Sequence, residues 1–185
     1  MIPMSQCATP AGKRQQKSKM KEDLPKRKHP RLKEYNYSSE GVYFVTICTQ
    51  NKRQLLSKIV GRGLAPAVKL TDYGEIAEQQ LLLLPERFSF IEVDSYVIMP
   101  NHIHIIFWFK PEAAGASPRP TLSDVICGYK SLTTRECKKI KPIDKLFQTS
   151  FYEHIIREGK DYEVKSQYIL ENPLKWHYDE LYCEE

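Results

Sequence analysis

Residues 90–109 have the sequence FIEVDSYVIMPNHIHIIFWF, and this stretch decides the fold. Its two halves, Phe90–Ile98 and His102–Phe109, are rich in β-branched and aromatic residues, which predicts two strands. The tripeptide Met-Pro-Asn between them predicts a tight turn. The stretch is therefore predicted to form two neighbouring strands joined by a short connection.

Periodicity and helix-capping residues predict the elements on either side of this pair. They are a strand at Val42–Thr49, a loop at Gly61–Ala67, a helix from Thr71 to Pro85, a flexible loop at Lys110–Pro120, a helix at Thr121–Ile140, a strand at Phe147–Arg157 and a helix at Asp161–Glu171. The order β, α, β, β, α, β, α is typical of an α+β fold. It predicts a ferredoxin-like antiparallel sheet with helices packed on one face.

The charge of the 185-residue chain is unevenly distributed. The formal net charge is +5, but residues 1–33 carry +8 and the remainder carries −3. The first 33 residues are polar, with four prolines and few large apolar side chains, which predicts a basic, disordered arm. Residues 34–185 are then predicted to form a single domain. A basic arm favours a polyanionic partner such as nucleic acid over an arm that serves solubility alone.

Composition also excludes several classes of protein. No stretch approaches the roughly 20 apolar residues that a membrane span needs. The N-terminal residues contain no apolar segment of the secretory type. The five cysteines are scattered and include no C-x-x-C pair, which argues against a disulfide framework or a zinc ribbon. We therefore expect a protein of the reducing cytosol.

Two histidines stand two residues apart in the third predicted strand. Side chains at this spacing share one face of a strand, so His102 and His104 are predicted to lie side by side. Ile103 and Ile105 then point to the other face, toward the core. Neutral imidazole is a common ligand of divalent metals, but a third ligand must come from elsewhere. A pair of hydrogen-bonded histidines without a metal is the alternative that this pattern alone leaves open.

The last predicted helix carries a second candidate pair. Tyr168 and Asn172 are four residues apart and therefore share a helix face. The amide oxygen of Asn172 is a hard ligand that suits Mg²⁺ or Mn²⁺. The phenol of Tyr168 is a candidate nucleophile, although its ordinary pKa of about 10 means that it needs activation. The alternative is a helix packed through Tyr168 with Asn172 as its C-terminal cap.

Three segments together resemble the HUH single-tyrosine transposases, and among these the REP-associated tyrosine transposase branch. They are VIMPNHIHII at 97–106, FYEHIIR at 151–157 and YILENP at 168–173. In that family two histidines flank a hydrophobic residue on a strand preceded by Met-Pro-Asn or Met-Pro-Asp. The resemblance spans roughly residues 35–176, and the three segments in this order are more specific than any one of them.

The resemblance implies a role for each matching residue. His102 and His104 would hold a divalent metal, Mg²⁺ or Mn²⁺. Asn172 falls where relatives carry a Gln or Asn as the third metal ligand. Tyr168 matches the nucleophilic tyrosine on the late helix. The implied fold is the HUH nuclease fold.

Two nearby tyrosines compete with this nucleophile. Tyr152 falls in a predicted strand, and Tyr162 stands at the start of the last predicted helix. Neither is followed four residues later by an amide side chain, so Tyr168 is preferred.

The implied activity is metal-dependent cleavage and joining of single-stranded DNA, as in a transposase. The tyrosine would attack the scissile phosphate in line, leaving a 5′-phosphotyrosine and a free 3′-OH. The covalent link conserves the phosphodiester bond energy, so no ATP is required, which agrees with the absence of a P-loop motif. Attack by the 3′-OH of another strand reverses the step and joins DNA.

The implied partner is single-stranded, hairpin-forming DNA of the REP type, met in the bacterial cytoplasm in association with the nucleoid. The resemblance leaves a monomer and a homodimer open. Basic side chains are expected to neutralise the DNA backbone. The candidates are Lys26, Arg27, Lys28, Arg31, Lys52, Arg53, Lys130 and Arg135.

Other enzymes and binding proteins fit the sequence less well. A histidine-triad hydrolase requires H-x-H-x-H, but Ile106 occupies the third position. A two-histidine phosphodiesterase requires two H-x-[ST] motifs, and an RNA-binding sheet of the RRM type carries an RNP1 run; the chain has neither. A non-catalytic, regulatory DNA-binding protein on the same fold stays open. Cleavage that depends on a metal and is lost on Tyr168→Phe would separate the enzyme from such a binder.

Overall fold

The computed structural model describes residues 36–61, 67–111 and 119–183. The elements are β1 (Gly41–Cys48), β2 (Ser57–Val60), β3 (Ala67–Leu70), α1 (Asp72–Leu82), α2 (Leu84–Arg87), β4 (Ile91–Ile98), β5 (His102–Phe109), α3 (Leu122–Ile140), β6 (Tyr152–Ile156) and α4 (Gly159–Glu171). Two short 3-10 helices follow β1 and α4, at Gln50–Lys52 and Trp176–Tyr178. The predicted N-terminal arm and the central parts of the two predicted loops lie outside the described residues.

Four strands form the main sheet in the order β4-β5-β1-β6, and every neighbouring pair is antiparallel. This is the ferredoxin-like order, because the first and third strands of the set are central and the second and fourth are at the edges. The α+β class and the antiparallel sheet are confirmed, and α1 and α3 pack on one face as predicted. Cys48 pairs with His102 in the register of β1 and β5, so the histidines stand near the end of β1.

The hairpin of β2 and β3 is an addition to the predicted elements. Its four pairs run from Ser57 opposite Leu70 to Val60 opposite Ala67. Each strand has four residues, and burial along both is only partial. Strands this short give too little alternation for their pattern to distinguish them from a loop.

The last strand is shorter than the predicted Phe147–Arg157. Phe147 makes only an isolated bridge with Thr49, and the continuous strand begins at Tyr152. In the segment between Phe147 and Tyr152, the carbonyl oxygens of Thr149 and Ser150 accept hydrogen bonds from the Lys130 ammonium, at 2.9 and 3.2 Å. These carbonyls bind a side chain of α3 instead of a neighbouring strand.

One face of the sheet forms the apolar core with α1 and α3. Full burial of a valine, leucine, isoleucine or phenylalanine side chain contributes roughly 1.5–3 kcal/mol to the stability of the fold. The Tyr129 hydroxyl, a polar group within this layer, donates to the Ala77 carbonyl at 3.0 Å. The core residues of the strands and of the two helices include Tyr43, Val45, Ile47, Ile103, Ile105, Phe107, Ala77, Leu81, Val125, Ile126 and Tyr129.

Local chemistry fixes the ends and position of both core helices. Thr71 caps α1, since its hydroxyl accepts from the Gly74 amide at 3.2 Å. Thr121 and Asp124 form a reciprocal capping box at the start of α3. A Cβ at Gly74 would lie 1.9 Å from the Leu56 carbonyl oxygen, so only glycine lets α1 approach the chain this closely.

Helix α4 lies across the opposite face of the sheet. Ile169 of α4 packs against Phe44, Ile106 and Ile156 in a small second cluster. Because alternate residues of a strand face opposite sides, His102 and His104 of β5 also face α4. The fold thus brings the two histidines beneath the helix that carries Tyr168 and precedes Asn172.

Candidate metal and tyrosine site

Strand β5 presents both histidines to α4 in a buried position. His102 is fully buried, and His104 is 3% exposed. Their ring centroids are 4.4 Å apart. The predicted side-by-side arrangement is therefore found, on the face opposite Ile103 and Ile105.

The Asn101 side chain sets the proton position on His102. Its amide nitrogen donates to the Leu181 carbonyl at 2.8 Å, and a carbonyl only accepts. The Asn101 amide oxygen therefore faces His102 Nδ1, at 2.8 Å, and Nδ1 must carry the hydrogen. This leaves the lone pair on Nε2, as in metal-binding histidines whose second nitrogen donates to a neighbour.

Thr46 of β1 holds the second imidazole. Its hydroxyl oxygen lies 2.8 Å from His104 Nδ1. The hydroxyl can donate to Nδ1 or accept from it; when it accepts, the Nε2 lone pair of His104 is available and is directed away from Thr46. The Phe44 ring stacks on the same imidazole, with centroids 5.2 Å apart, and fixes its plane.

Both imidazoles are neutral at physiological pH. Burial lowers the pKa of His102 to about 4, against the opposing influence of the Asp179 charge. Burial also lowers the pKa of His104 well below 6.5, with smaller contributions from the His102 and Lys165 charges. Neutral imidazole is the form that binds a metal.

Asn172, immediately after α4, directs its amide oxygen into the same site. Its Nδ2 donates to Asp179 Oδ2 at 2.8 Å, which fixes the orientation of the amide. The buried Oδ1 atom then has no hydrogen-bond partner, and the same is true of His102 Nε2 and His104 Nε2. Buried polar atoms almost always have partners, so three unpartnered nitrogen and oxygen atoms together fit a bound cation.

Asp179 is a site residue that the sequence analysis missed. One of its carboxylate oxygens and one nitrogen of each histidine all lie within 4.8 Å of one another. The carboxylate is held in place because Oδ1 accepts from the Leu181 amide at 2.7 Å. No spacing rule links Asp179 to the histidines or to α4.

Residues 176–183 pack beside the histidines and help to enclose the site. The Trp176 ring is 4% exposed, and its centroid lies 5.9 Å from that of His102. The Gln54 side chain donates to the Cys183 carbonyl at 2.8 Å, which ties the end of this segment to the chain after β1. This packing helps to bury His102 and carries Asp179 to the histidines.

Tyr168 lies at the open edge of the site. Its side chain is 40% exposed, and its ring centroid is 5.1 Å from that of His104. The hydroxyl donates to Asp179 Oδ2 at 3.2 Å. Burial and the nearby Asp179 carboxylate raise the pKa of Tyr168 to about 12, so the phenol is protonated at neutral pH.

The two competing tyrosines are placed differently. The Tyr162 hydroxyl donates to Asp94 Oδ2 at 2.8 Å, and its ring packs edge-on against Trp108. Tyr152 is 60% exposed and pairs with Thr46 in the register of β1 and β6. Of the three, Tyr168 is the one whose hydroxyl shares a carboxylate with Asn172.

A lysine on α4 adds positive charge beside the site. Lys165 Nζ lies 5.2 Å from the centroid of the Phe44 ring, which itself contacts both His104 and Tyr168. Lys165 stands three residues before Tyr168 and seven before Asn172, so the three follow one stripe that runs along α4 to its C-terminal cap. The stripe combines a cation, a candidate nucleophile and an oxygen ligand.

The donors fit a divalent cation of the Mg²⁺ or Mn²⁺ type. The Asn172 and Asp179 oxygens suit either ion, and neutral imidazole nitrogens are common ligands of divalent metals in general. The thiols of Cys48 and Cys183 do not belong to this group of donors. The residues present therefore fit the metal that the resemblance implied.

The predicted DNA-contacting residues fall into two sets. Lys26, Arg27, Lys28 and Arg31 lie outside the described residues. Arg53 donates to the Lys145 carbonyl at 3.4 Å, and Lys130 and Arg135 line a groove that also includes Lys145. Lys52 adjoins Arg53 on the connection after β1. Four of the eight candidates thus lie near one another.

The part of the chain that the structure describes contains no helix long and apolar enough to cross a bilayer.

No protein-family model matches the chain. The chain is 34% identical over 173 residues to an uncharacterized protein of Haemophilus influenzae, a match that covers 85% of this chain and 94% of that protein. It is 27% identical over 139 residues to the REP-associated tyrosine transposase of Escherichia coli, covering 75% of this chain and 70% of the relative.

The fold agrees with a solved structure described as a REP-associated tyrosine transposase bound to a REP hairpin. The TM-score is 0.56 at 24% identity, with 80% of this chain and 76% of that chain covered. From the named relatives, the shared fold and the sequence motifs, the chain belongs to the REP-associated tyrosine transposase family.

Proposed function

We propose that this protein is a metal-dependent, single-stranded DNA endonuclease and strand transferase that works through a 5′-phosphotyrosine intermediate. Membership of a transposase family supports DNA processing in general. The specific chemistry rests on one observation: three buried, unpartnered nitrogen and oxygen atoms lie beneath a tyrosine. His102, His104 and Asn172 provide these atoms, and Tyr168 is the tyrosine.

His102, His104 and Asn172 would hold the metal, with Asp179 close enough to act as a further ligand or as a partner of the others. A divalent ion held there supplies Lewis-acid polarisation of a phosphate and charge stabilisation in the transition state. The protein's contribution is to keep the imidazole ligands neutral and to hold the ligand atoms in a fixed orientation, shielded from water. Asn101 and Thr46 provide that orientation.

Tyr168 would perform the covalent step. A lone pair of its phenolic oxygen forms a bond to phosphorus while the bond from phosphorus to the 3′ oxygen breaks. The phenolic proton passes to the Asp179 carboxylate, which already accepts the hydrogen bond. The departing 3′ oxygen takes a proton from solvent and becomes a free 3′-OH. The reverse reaction with a new 3′-OH joins strands.

The raised pKa of Tyr168 makes the carboxylate necessary. A phenol with a pKa of about 12 is a weak nucleophile at neutral pH, so it needs a base within hydrogen-bond reach. Lys165 would attract the phosphate toward the tyrosine, since its ammonium stands one helical turn before it. Each group on the α4 stripe therefore has a part in the same reaction.

The proposed substrate is hairpin-forming DNA with an unpaired flank, in the bacterial nucleoid. The related solved structure is described as bound to a REP hairpin, which supports this class of DNA. Exposed aromatic rings on this side of the sheet, at Tyr152, Tyr168 and Tyr178, offer surfaces on which unpaired bases can stack.

The test is a covalent-complex assay with labelled single-stranded hairpin DNA from the flanks of the encoding gene. We expect a protein–DNA band on a denaturing gel with Mn²⁺ or Mg²⁺, and no band with EDTA or with Tyr168→Phe. Tyr152→Phe and Tyr162→Phe are matched controls that should retain the band. A band that survives Tyr168→Phe would reassign the nucleophile. Bound DNA without cleavage in either metal would favour the regulatory DNA-binding protein instead.

A further inference from the structure

A basic groove of about 520 Å³ lies between α3 and residues 145–149. Four cationic side chains line it, namely Lys130, Arg135, Lys138 and Lys145. Of the described residues in its lining, none carries a carboxylate. Glu136 pairs with Arg135 at 3.5 Å from outside the lining, whereas Lys138 and Lys145 form no ion pair with a described carboxylate. The groove therefore has a surplus of positive charge.

The groove is held in shape by the protein's own hydrogen bonds. Lys130 binds the carbonyls of Thr149 and Ser150, and the Lys145 ammonium donates to the Thr149 hydroxyl at 2.7 Å. Phe147 forms an apolar floor and is only 3% exposed. A pre-shaped, cationic surface with hydroxyl groups is suited to phosphate oxygens.

A chain of contacts links this groove to the metal and tyrosine site. Arg53 donates to the Lys145 carbonyl at 3.4 Å, and Lys52 stands directly before it in the chain. The Cys183 thiol donates to the Lys52 carbonyl at 3.1 Å and lies 3.4 Å from Asn101 Nδ2. Asn101 in turn holds His102. Basic side chains thus continue from the groove toward the edge of the site.

The backbone of this link is strained. Asn51 and Lys52 have φ angles of 58° and 53°, in the left-handed region that asparagine tolerates but that lysine rarely adopts. The Lys52 amide donates to the Thr49 carbonyl at 3.1 Å, which helps to hold this conformation. Strain of this kind tends to occur where a side chain must be aimed for function.

We propose that the groove, with Arg53 and Lys52, binds the sugar-phosphate backbone of the paired stem that adjoins the cleaved single strand. The inference rests on the proposed function, because it deepens the account of the DNA substrate. Charge alone does not favour a stem over a single strand. The aromatic side chains do favour a stem. Surfaces that bind single strands combine cations with exposed aromatic rings on which bases stack, whereas the aromatic ring of the groove, Phe147, is buried. Tyr168, at the proposed cleavage site, is by contrast an exposed ring.

The test measures binding and not cleavage, so that failure of one proposal does not imply failure of the other. Two DNA probes are used with the Tyr168→Phe protein in EDTA: a hairpin with an unpaired flank, and the unpaired flank alone. The double variant Lys138→Gln/Lys145→Gln should bind the hairpin roughly 10-fold more weakly near 0.1 M salt, with the salt slope reduced by about 1.8. Its affinity for the flank alone should be unchanged.

The matched control removes the same charge elsewhere. Lys58 and Lys69 are cross-strand neighbours, both exposed, on the β2–β3 hairpin. Lys58→Gln/Lys69→Gln should bind both probes as the parent protein does. The single variant Lys138→Gln, which loses no described hydrogen bond, keeps the test informative if the double variant is less stable. Unchanged hairpin affinity and salt slope would overturn the proposal, and so would equal weakening on both probes, which would indicate single-strand binding.

Discussion

The two faces of the main sheet are built from the same strands and yet differ in kind. Toward α1 and α3, β5 contributes Ile103 and Ile105 to a core where side chains are surrounded by apolar neighbours. Toward α4, the same strand contributes His102 and His104, which are as deeply buried but keep unpartnered Nε2 atoms.

This difference shows how one strand serves stability and chemistry at once. An unpartnered buried polar group costs about 1–3 kcal/mol, so the α4 face weakens the metal-free fold that the other face stabilises. Alternation keeps the two roles on opposite sides of the sheet. Substitutions of the histidines should therefore reduce activity beyond any effect on folding, whereas those on the other face should affect folding alone.

The largest expected effect is on the α4 face. His104→Ala removes one of the proposed metal donors and should lower the rate of metal-dependent cleavage at least about 10³-fold. The free energy of unfolding in EDTA should also fall, because truncating the buried imidazole removes its hydrogen bond with Thr46 and its stacking on Phe44, which outweighs the loss of one unpartnered atom. Cleavage assays with Mn²⁺ and urea unfolding check both parts. Near-normal cleavage would contradict the assignment of His104.

The companion variant lies one residue away on the apolar face. Ile105→Ala should lower the free energy of unfolding by about 2–5 kcal/mol, because it leaves a cavity in the core. Mn²⁺ binding by the folded protein should be unchanged, as measured by calorimetry at a temperature where the variant is folded. Ile105→Val, the milder control, should cost about 1 kcal/mol. If Ile105→Ala lost Mn²⁺ binding while its free energy of unfolding stayed unchanged, the proposed difference between the two faces of the sheet would be wrong.

A smaller effect is expected from Asp179→Asn, which keeps the side-chain shape but removes the charge. Cleavage at saturating Mn²⁺ should slow by roughly 10- to 100-fold, because the proton acceptor for Tyr168 is lost. The pKa of Tyr168 should fall below about 12, since the Asp179 charge helps to raise it. Ultraviolet titration, with Tyr168→Phe as reference, measures the pKa. Glu180→Gln is the neighbouring control and should leave the cleavage rate unchanged.

The smallest effect concerns the stability of the metal-free protein as a function of pH. Burial lowers the pKa of His102 from 6.5 to about 4, so the unfolded chain binds a proton that the folded chain does not bind. Stability is therefore full above pH 6.5 and is lost as the pH falls toward 4. His102 alone should account for about 2 kcal/mol between roughly pH 7.5 and 5. Urea unfolding in EDTA should find this dependence reduced in His102→Gln, and equal slopes would contradict it.

Much of the fold could be predicted because its signals are local. The alternation of β5, the Met-Pro-Asn turn and the caps at Thr71 and Thr121 each depend on a few neighbouring residues. The β2–β3 hairpin could not be predicted, because two four-residue strands have too few positions for a pattern. The start of the last strand depends on Lys130, which reaches Thr149 from 19 residues away.

The residues of the candidate site likewise separate into those with a local sequence signal and one without. His102, His104, Tyr168 and Asn172 could be singled out because strand and helix periodicity, together with the family motifs, place each pair on one face. Asp179 could not, because it lies after α4 in a segment without periodicity. It reaches the histidines only through the packing of Trp176 and the hydrogen bond from the Leu181 amide.

The strict alternation of β5 also limits how the chain length can change. One residue inserted into the turn at 99–101 would shift the phase of β5, moving both imidazoles into the core and isoleucines under α4. The neighbouring strand β4 already contains an irregularity between Val93 and Ser95, where Asp94 is accommodated while the pairing resumes at Ser95. Insertions and deletions are thus expected to be tolerated near Asp94 and rejected in the turn, although only a few residues separate the two.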